Sequence, residues 1–153
     1  MIDKPIEILL VEDNPDDEQL TLRTLRNNKL ANNVHVVRDG EEAIEFLSCG
    51  GRYAGRDAAS SIRKLILLDI KLPKVNGIEV LKFIRTMPAL KLVPVVILTS
   101  SREERDIIET YDLGTNSYIV KPVTFDQFTE CVRQIGMYWL LLNQLPGAAQ
   151  RSA

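Results

Sequence analysis

Glu12, Asp13, Asp69, Thr99 and Lys121 are the residues of this sequence whose types suit them to act together. Each comes at the end of a short apolar run. Ile6-Glu7-Ile8-Leu9-Leu10-Val11 leads into the acidic pair, Leu65-Ile66-Leu67-Leu68 into Asp69, Val95-Val96-Ile97-Leu98 into Thr99, and Ser117-Tyr118-Ile119-Val120 into Lys121. Carboxylates brought to one place repel one another, and like charges raise pKa values unless a cation offsets them. Magnesium suits such a site because it takes one or two carboxylates and keeps water for a phosphate-bearing substrate. Lys121 and Thr99 would then offer a point charge and a hydroxyl donor to the oxygens of an anion. That is the electrostatic apparatus of phosphoryl transfer. One Asp at a strand end reads equally well as a helix cap or a turn, but five such residues in strand order do not.

The elements that must position these residues are short. The four apolar runs read as buried strands, and Val34-His35-Val36-Val37 reads as another. A helix is expected from about Pro15 to Asn28, capped by Asn14, with Leu22 and Leu25 on its inner face and Leu20 at the flank. Asp39-Gly40 reads as a turn into a helix carrying Ala43, Ile44 and Leu47. Residues from Cys49 to Arg63 show no sustained periodicity and read as a long surface loop. Further helices are expected after Gly77, with Ile78, Leu81 and Ile84 inward, from Arg102 to Leu113, and after Pro122. Strands that are apolar throughout, without polar alternation, indicate a parallel sheet covered on both faces. The expected class is therefore α/β and doubly wound, and in such sheets functional groups gather beyond the carboxyl ends of the strands.

The chain has 153 residues, 45% hydrophobic and 26% charged, enough for one well-buried domain. The expected organisation is a single domain over residues 1–145, including an extended C-terminal helix, and a flexible tail over 146–153. Nineteen Lys and Arg against 21 Asp and Glu give a formal charge of −2, which argues against a nucleic-acid or anionic-membrane partner. Charges fall where a signal peptide needs its apolar region, and no apolar run approaches a membrane span, so a cytoplasmic location is expected. Cys49 and Cys131 lie in no metal-like spacing and read as free thiols. His35, the only histidine, reads as a packed or edge residue and not as a ligand.

These motifs together resemble the bacterial two-component response-regulator receiver family, over roughly residues 6 to 140. Leu9-Leu10-Val11-Glu12-Asp13-Asn14 is similar to the family's opening strand and acidic pair. Leu67-Leu68-Asp69-Ile70-Lys71-Leu72-Pro73 with Asn76-Gly77 is similar to its phosphoacceptor strand and loop, Ile97-Leu98-Thr99-Ser100 to its switch hydroxyl strand, and Tyr118-Ile119-Val120-Lys121-Pro122 to its closing motif. The resemblance implies a flavodoxin-like fold: a five-stranded parallel sheet in the order 2-1-3-4-5, flanked by five helices. It implies that Asp69 accepts a phosphoryl group from a histidine kinase or phosphotransfer protein. Asp13, Asp69 and the backbone carbonyl of Lys71 would ligate Mg2+, and Glu12 would act through a metal-bound water. Lys121 and Thr99 would contact the phosphoryl oxygens, Tyr118 would be the aromatic switch, and the bond to Pro122 would be cis. From the residues alone, Tyr118 reads as an ordinary half-buried aromatic and Lys121 equally well as a surface lysine beside a turn. Lys71 places a cation where receivers often have an uncharged side chain, and is expected to tune phosphoryl lifetime.

Few residues follow the last helix, so the output is expected to be a surface of the receiver itself, read by a downstream protein or phosphotransfer partner. Phe125, Phe128, Val132, Ile135 and Trp139 fall on one inward stripe of that helix, and Met137, Leu140 and Leu141 fall outside it. With Leu145 they are the expected interface of a homodimer, the alternative being an intramolecular clamp. Asn14-Pro15-Asp16-Asp17 and the segment Gly50 to Arg56 further resemble the small stand-alone regulators paired with bacterial phytochrome kinases. A phosphorylation-independent interaction module and a phosphate-ester hydrolase are the competing classes. The intact set of five residues disfavours the first, and the lack of a substrate-binding insertion or further base disfavours the second.

Overall fold

The computed structural model describes residues 6–27, 34–56, 63–100 and 117–134. The strands are β1 (Ile6–Val11), β2 (Val34–Val37), β3 (Arg63–Asp69), β4 (Val95–Thr99) and β5 (Ser117–Val120), and the α-helices are α1 (Pro15–Asn27), α2 (Gly40–Ser48), α3 (Gly77–Thr86) and α4 (Phe125–Gln134). All strand pairs are parallel and the sheet runs β2-β1-β3-β4-β5, the doubly wound order expected. The helix expected over Arg102–Leu113 and the continuation of α4 through Ile135, Met137, Trp139, Leu140, Leu141 and Leu145 lie outside the described residues.

Alternating side chains of each strand go to opposite faces, and here both faces are buried. Ile8, Leu10, Leu67 and Leu98 meet Leu25 of α1 and Phe128 of α4 in one core. Leu9, Val11, Leu68 and Ile97 meet Leu47 of α2 and Ile84 of α3 in the other. Within α4 the inward positions are Phe128, Cys131 and Val132, at i, i+3 and i+4 spacing. Phe125, placed on the inward stripe by sequence, is 52% exposed because it is the first residue of the helix, ahead of the turn that meets the sheet.

Helix starts are set by side-chain caps. Asn14 Oδ1 accepts from the amides of Asp16 (2.9 Å) and Asp17 (3.1 Å), and Asp39 Oδ1 accepts from Glu42 N (2.7 Å). Gly40 is therefore the first residue of α2, not part of a turn before it. The segment after α2 is also more ordered than its sequence suggests, with a 3-10 turn over Gly51–Tyr53. His35 stacks on Phe46 with centroids 4.4 Å apart, and the Arg56 guanidinium lies 3.7 Å from the Phe46 centroid. Arg56 also donates to Phe46 O (3.1 Å) and faces the Glu7 carboxylate (3.3 Å), fastening the segment to the sheet. Tyr53 donates its hydroxyl proton to Glu42 Oε2 (2.7 Å), so it meets His35 Nε2 (3.1 Å) as an acceptor. His35 is thus a packed histidine, as its apolar strand implied. No helix among the described residues is long and apolar enough to cross a membrane.

Candidate functional site

The carboxyl ends of β1, β3, β4 and β5 meet at one edge of the sheet, and they carry charged groups and one hydroxyl there. Glu12 follows β1, and its amide extends the ladder to Val37 O (3.0 Å). Its side chain is fully buried, whereas the adjacent Asp13 is exposed. Asp69 ends β3 and is 3% exposed. Asp69 Oδ1 accepts from the amide of Lys71 (3.1 Å), and Oδ2 accepts from Lys121 Nζ (3.0 Å). Lys121 follows β5, where its amide donates to Thr99 O (2.8 Å), and the Lys121–Pro122 bond is cis. The ammonium also meets Glu12 Oε1 (3.2 Å) and Oε2 (3.4 Å) and Asp17 Oδ2 (2.9 Å).

The sequence picked out Glu12, Asp13, Asp69, Thr99 and Lys121, and they share this edge. It missed Asp17, which stands on the first turn of α1 and not at a strand end; the acidic Asn14-Pro15-Asp16-Asp17 run was the available signal. Glycine contacts were missed too. A Cβ on Gly77 would lie 2.5 Å from Asp69 O, so α3 can begin directly against the end of β3 only because that residue has no side chain. Asn76 caps α3 by accepting from Glu79 N (3.0 Å).

Burial and the neighbouring Asp69 push the Glu12 carboxyl up to about 8, against the pull of Lys121. Burial disfavours the charge on Lys121, but its hydrogen bonds to Asp17 and Asp69 and the attraction of Asp69 and Glu12 outweigh that and raise its pKa. A proton on Glu12 therefore relieves part of the negative charge gathered at this edge. Ligand atoms of Glu12, Asp13 and Asp69 lie within 4.8 Å of one another, and no other such cluster occurs among the described residues. An all-oxygen, all-carboxylate donor set fits a hard divalent cation, and such a cation would replace the proton.

A raised carboxyl pKa stabilises the fold fully below the unfolded value near 4.5, and that stabilisation is lost as pH rises through about 8. His35, lowered by burial, has the opposite sign: it favours the fold above its unfolded value near 6.5 and costs stability as pH falls below it. The difference in unfolding temperature with magnesium and with EDTA cancels the His35 contribution. That difference is expected to widen steadily from pH 5.5 to 8.5, as measured by thermal unfolding. A difference independent of pH contradicts proton–metal exchange at Glu12.

Thr99 is fully buried, and its Oγ1 has no hydrogen-bond partner. Such a hydroxyl carries a desolvation cost of about 1–3 kcal/mol unless an acceptor arrives. Tyr118 is half-buried against the α2/α3 core. The register pairs Ile97 with Tyr118 and Thr99 with Val120, so Thr99 and Tyr118 are diagonal neighbours on one face of adjacent strands. Lys71 has an exposed side chain and, with Asp13, Leu72 and Asn76, lines an open depression of about 560 Å3 beside the carboxylates.

A family model described as response regulator receiver domain matches residues 8–133. Response regulator Rcp1 of a Synechocystis strain is 39% identical over 144 residues, covering 94% of this chain and 95% of the relative. A probable methanogenesis regulatory protein, FilR2, of Methanothrix harundinacea is 37% identical over 148 residues, with 95% and 90% covered. Among solved structures, the bacteriophytochrome response regulator RtBRR superposes with a TM-score of 0.82 at 46% identity, covering 95% of this chain and 87% of that one. Rcp1 has been solved in a Mn2+-bound form, which superposes with a TM-score of 0.69 over 89% of this chain and 95% of that one.

Proposed function

Because the chain belongs to the response regulator receiver family, closely related to the phytochrome-associated regulators, we propose that Asp69 is its phosphoacceptor and that Mg2+ is the metal of its divalent-cation site. The observation that carries the assignment is the buried Thr99 hydroxyl, which lacks a partner at the edge where Asp69 and Lys121 meet. An anion docked on Asp69 supplies the missing acceptor.

Transfer forms a bond between an Asp69 carboxylate oxygen and phosphorus and breaks the P–N bond of a phosphohistidine donor. The electron pair of that bond stays on the imidazole, which takes a proton from solvent. Asp13 and Asp69 with the carbonyl of Lys71 would hold the cation, and Glu12 would hold one of its waters; when bound, it neutralises the carboxylates and attracts phosphoryl oxygens. Lys121 holds its charge toward the transferred group and Thr99 donates its proton to it. Once Thr99 has an acceptor, the space it leaves is open to Tyr118, its diagonal neighbour, and the β4-β5 face changes for a binding partner. The histidine kinase that serves it would be of the bacteriophytochrome type, as the name of RtBRR suggests, with output through a protein partner and a homodimer using Met137, Leu140, Leu141 and Leu145.

The test is incubation with a phosphodonor with and without magnesium: the intact protein should gain about 80 Da, lost on hydroxylamine treatment, as an acyl phosphate requires. No gain with any donor rejects the assignment. Lys71 bears on how long the modification lasts. Its exposed ammonium at the mouth attracts the phosphoryl oxygens and obstructs water. Lys71→Ala is expected to shorten the phosphoryl half-life about two- to threefold, a small effect because solvent screens the charge. Decay of the phosphorylated protein followed over time measures it, and an unchanged rate removes Lys71 from the mechanism.

A further inference from the structure

Lys121 is surrounded by more carboxylate than phosphoryl transfer requires. Its ammonium has three N–H donors, and three carboxyl groups take them: Asp17 at 2.9 Å, Asp69 at 3.0 Å and Glu12 at 3.2 Å. Glu12 and Asp69 belong to the metal cluster, but Asp17 does not. Its side chain is 30% exposed, against 11% for Lys121. Nor is its position accidental. Asn14 accepts from the amides of Asp16 and Asp17, and its own amide donates to Glu12 Oε2 (3.3 Å). The Asn14–Asp17 turn is thereby tied to the site at one end while its other end aims a carboxylate at the ammonium.

A phosphoryl group on Asp69 draws on Lys121, and two of the three donors are held by groups other than Asp69, namely Asp17 and Glu12. We propose that Asp17 is a positioning residue that holds Lys121 at the mouth of the site and competes with the phosphoryl group for it. This rests on the assignment of Asp69 as phosphoacceptor. Asp17 draws the lysine toward α1 in the unmodified protein, and the anion must win the lysine from it. The strength of that competition sets how stable the modified state is, and α1 feels the outcome because Asp17 stands on its first turn. The Asn14-Pro15-Asp16-Asp17 segment then has a role beyond starting a helix.

The probe is beryllofluoride with magnesium, a non-transferable phosphoryl mimic, titrated calorimetrically into the full chain. Asp17→Asn keeps the side-chain shape and a carbonyl acceptor but removes the competing charge. It is expected to bind the mimic about three- to tenfold more tightly, the range for a charge pair that is partly screened by solvent. A merely structural role for Asp17 predicts the reverse: a lower unfolding temperature and weaker binding. The gain should return to wild type in Asp17→Glu, and it should vanish when Asp17→Asn is combined with Lys121→Met, because the competition runs through the lysine. Persistence of the gain in the double variant means that Asp17 acts on the anion directly and overturns the proposal, as does unchanged or weaker binding by Asp17→Asn. If the wild-type protein itself does not bind the mimic, the phosphoacceptor assignment falls and this inference with it.

Discussion

Asp69→Asn is expected to take up no phosphoryl group, under any donor or magnesium concentration, in the mass measurement that gives about 80 Da for the wild type. A carboxamide cannot form the acyl phosphate, and the other carboxylates are poorly placed to substitute. Glu12 is fully buried and holds its proton to about pH 8, Asp17 is engaged with Lys121, and Asp13 is exposed to water. The same substitution should stabilise the metal-free protein. Asp69 is one of the causes that raise the Glu12 pKa, through a hydrogen bond and through its charge, and Asn removes the charge while keeping the volume. Lys121 loses one charged partner but retains Glu12 and Asp17. The net relief is expected to be about 1 kcal/mol, or roughly 2–4 °C in unfolding temperature for a domain of this size, at pH 8 in EDTA. Function lost with stability gained marks a site held together against its own repulsion. If Asp69→Asn instead unfolds at a lower temperature, the Asp69–Lys121 pair is worth more than the repulsion it sits in.

The strands of this fold were legible because parallel strands covered on both faces are apolar at every position, and Ile8–Val11, Leu65–Leu68 and Val95–Leu98 show that directly. Their ends were legible for the same reason: a charged residue after such a run is conspicuous. Asp17 was not, because an acid in the first turn of a helix is already explained by the helix dipole, and only the chain's closure in three dimensions brings Lys121 to it. The segment after α2 was opaque for a different reason. Tyr53 and Arg56 are ordered by contacts with Phe46, Glu42 and Glu7, side chains from two other elements, and such contacts leave no period in the sequence. Phe125 shows the limit of helical periodicity itself, since the angular position of a residue says nothing about whether its turn reaches the sheet.

Gly40 leads to the second large effect. It opens α2, far in sequence from Asp69, and reads there as an ordinary turn glycine. In space it lies against the loop between β3 and α3, the loop that carries Lys71. Its amide faces Pro73 O at 3.4 Å, and a Cβ on it would stand 1.7 Å from Val75 O and 2.9 Å from Val75 Cβ. The obstruction is backbone, which cannot swing aside as a flexible side chain does. The loop is already constrained, with Lys74 at φ 67° and its ammonium 3.7 Å from Asp39 Oδ2. Gly40→Ala must therefore displace either α2 or residues 73–75, and overpacking of this kind costs about 1–3 kcal/mol. For a domain of this size the unfolding temperature should fall by roughly 2–12 °C. The loop is the softer of the two elements, so the displacement should reach Lys71 and weaken magnesium binding even though no proposed ligand is altered. Thermal unfolding and a magnesium titration on the same preparation separate the consequences. Lost stability with unchanged magnesium affinity would place the displacement in α2, and the loop would then be the rigid element against which the helix is set.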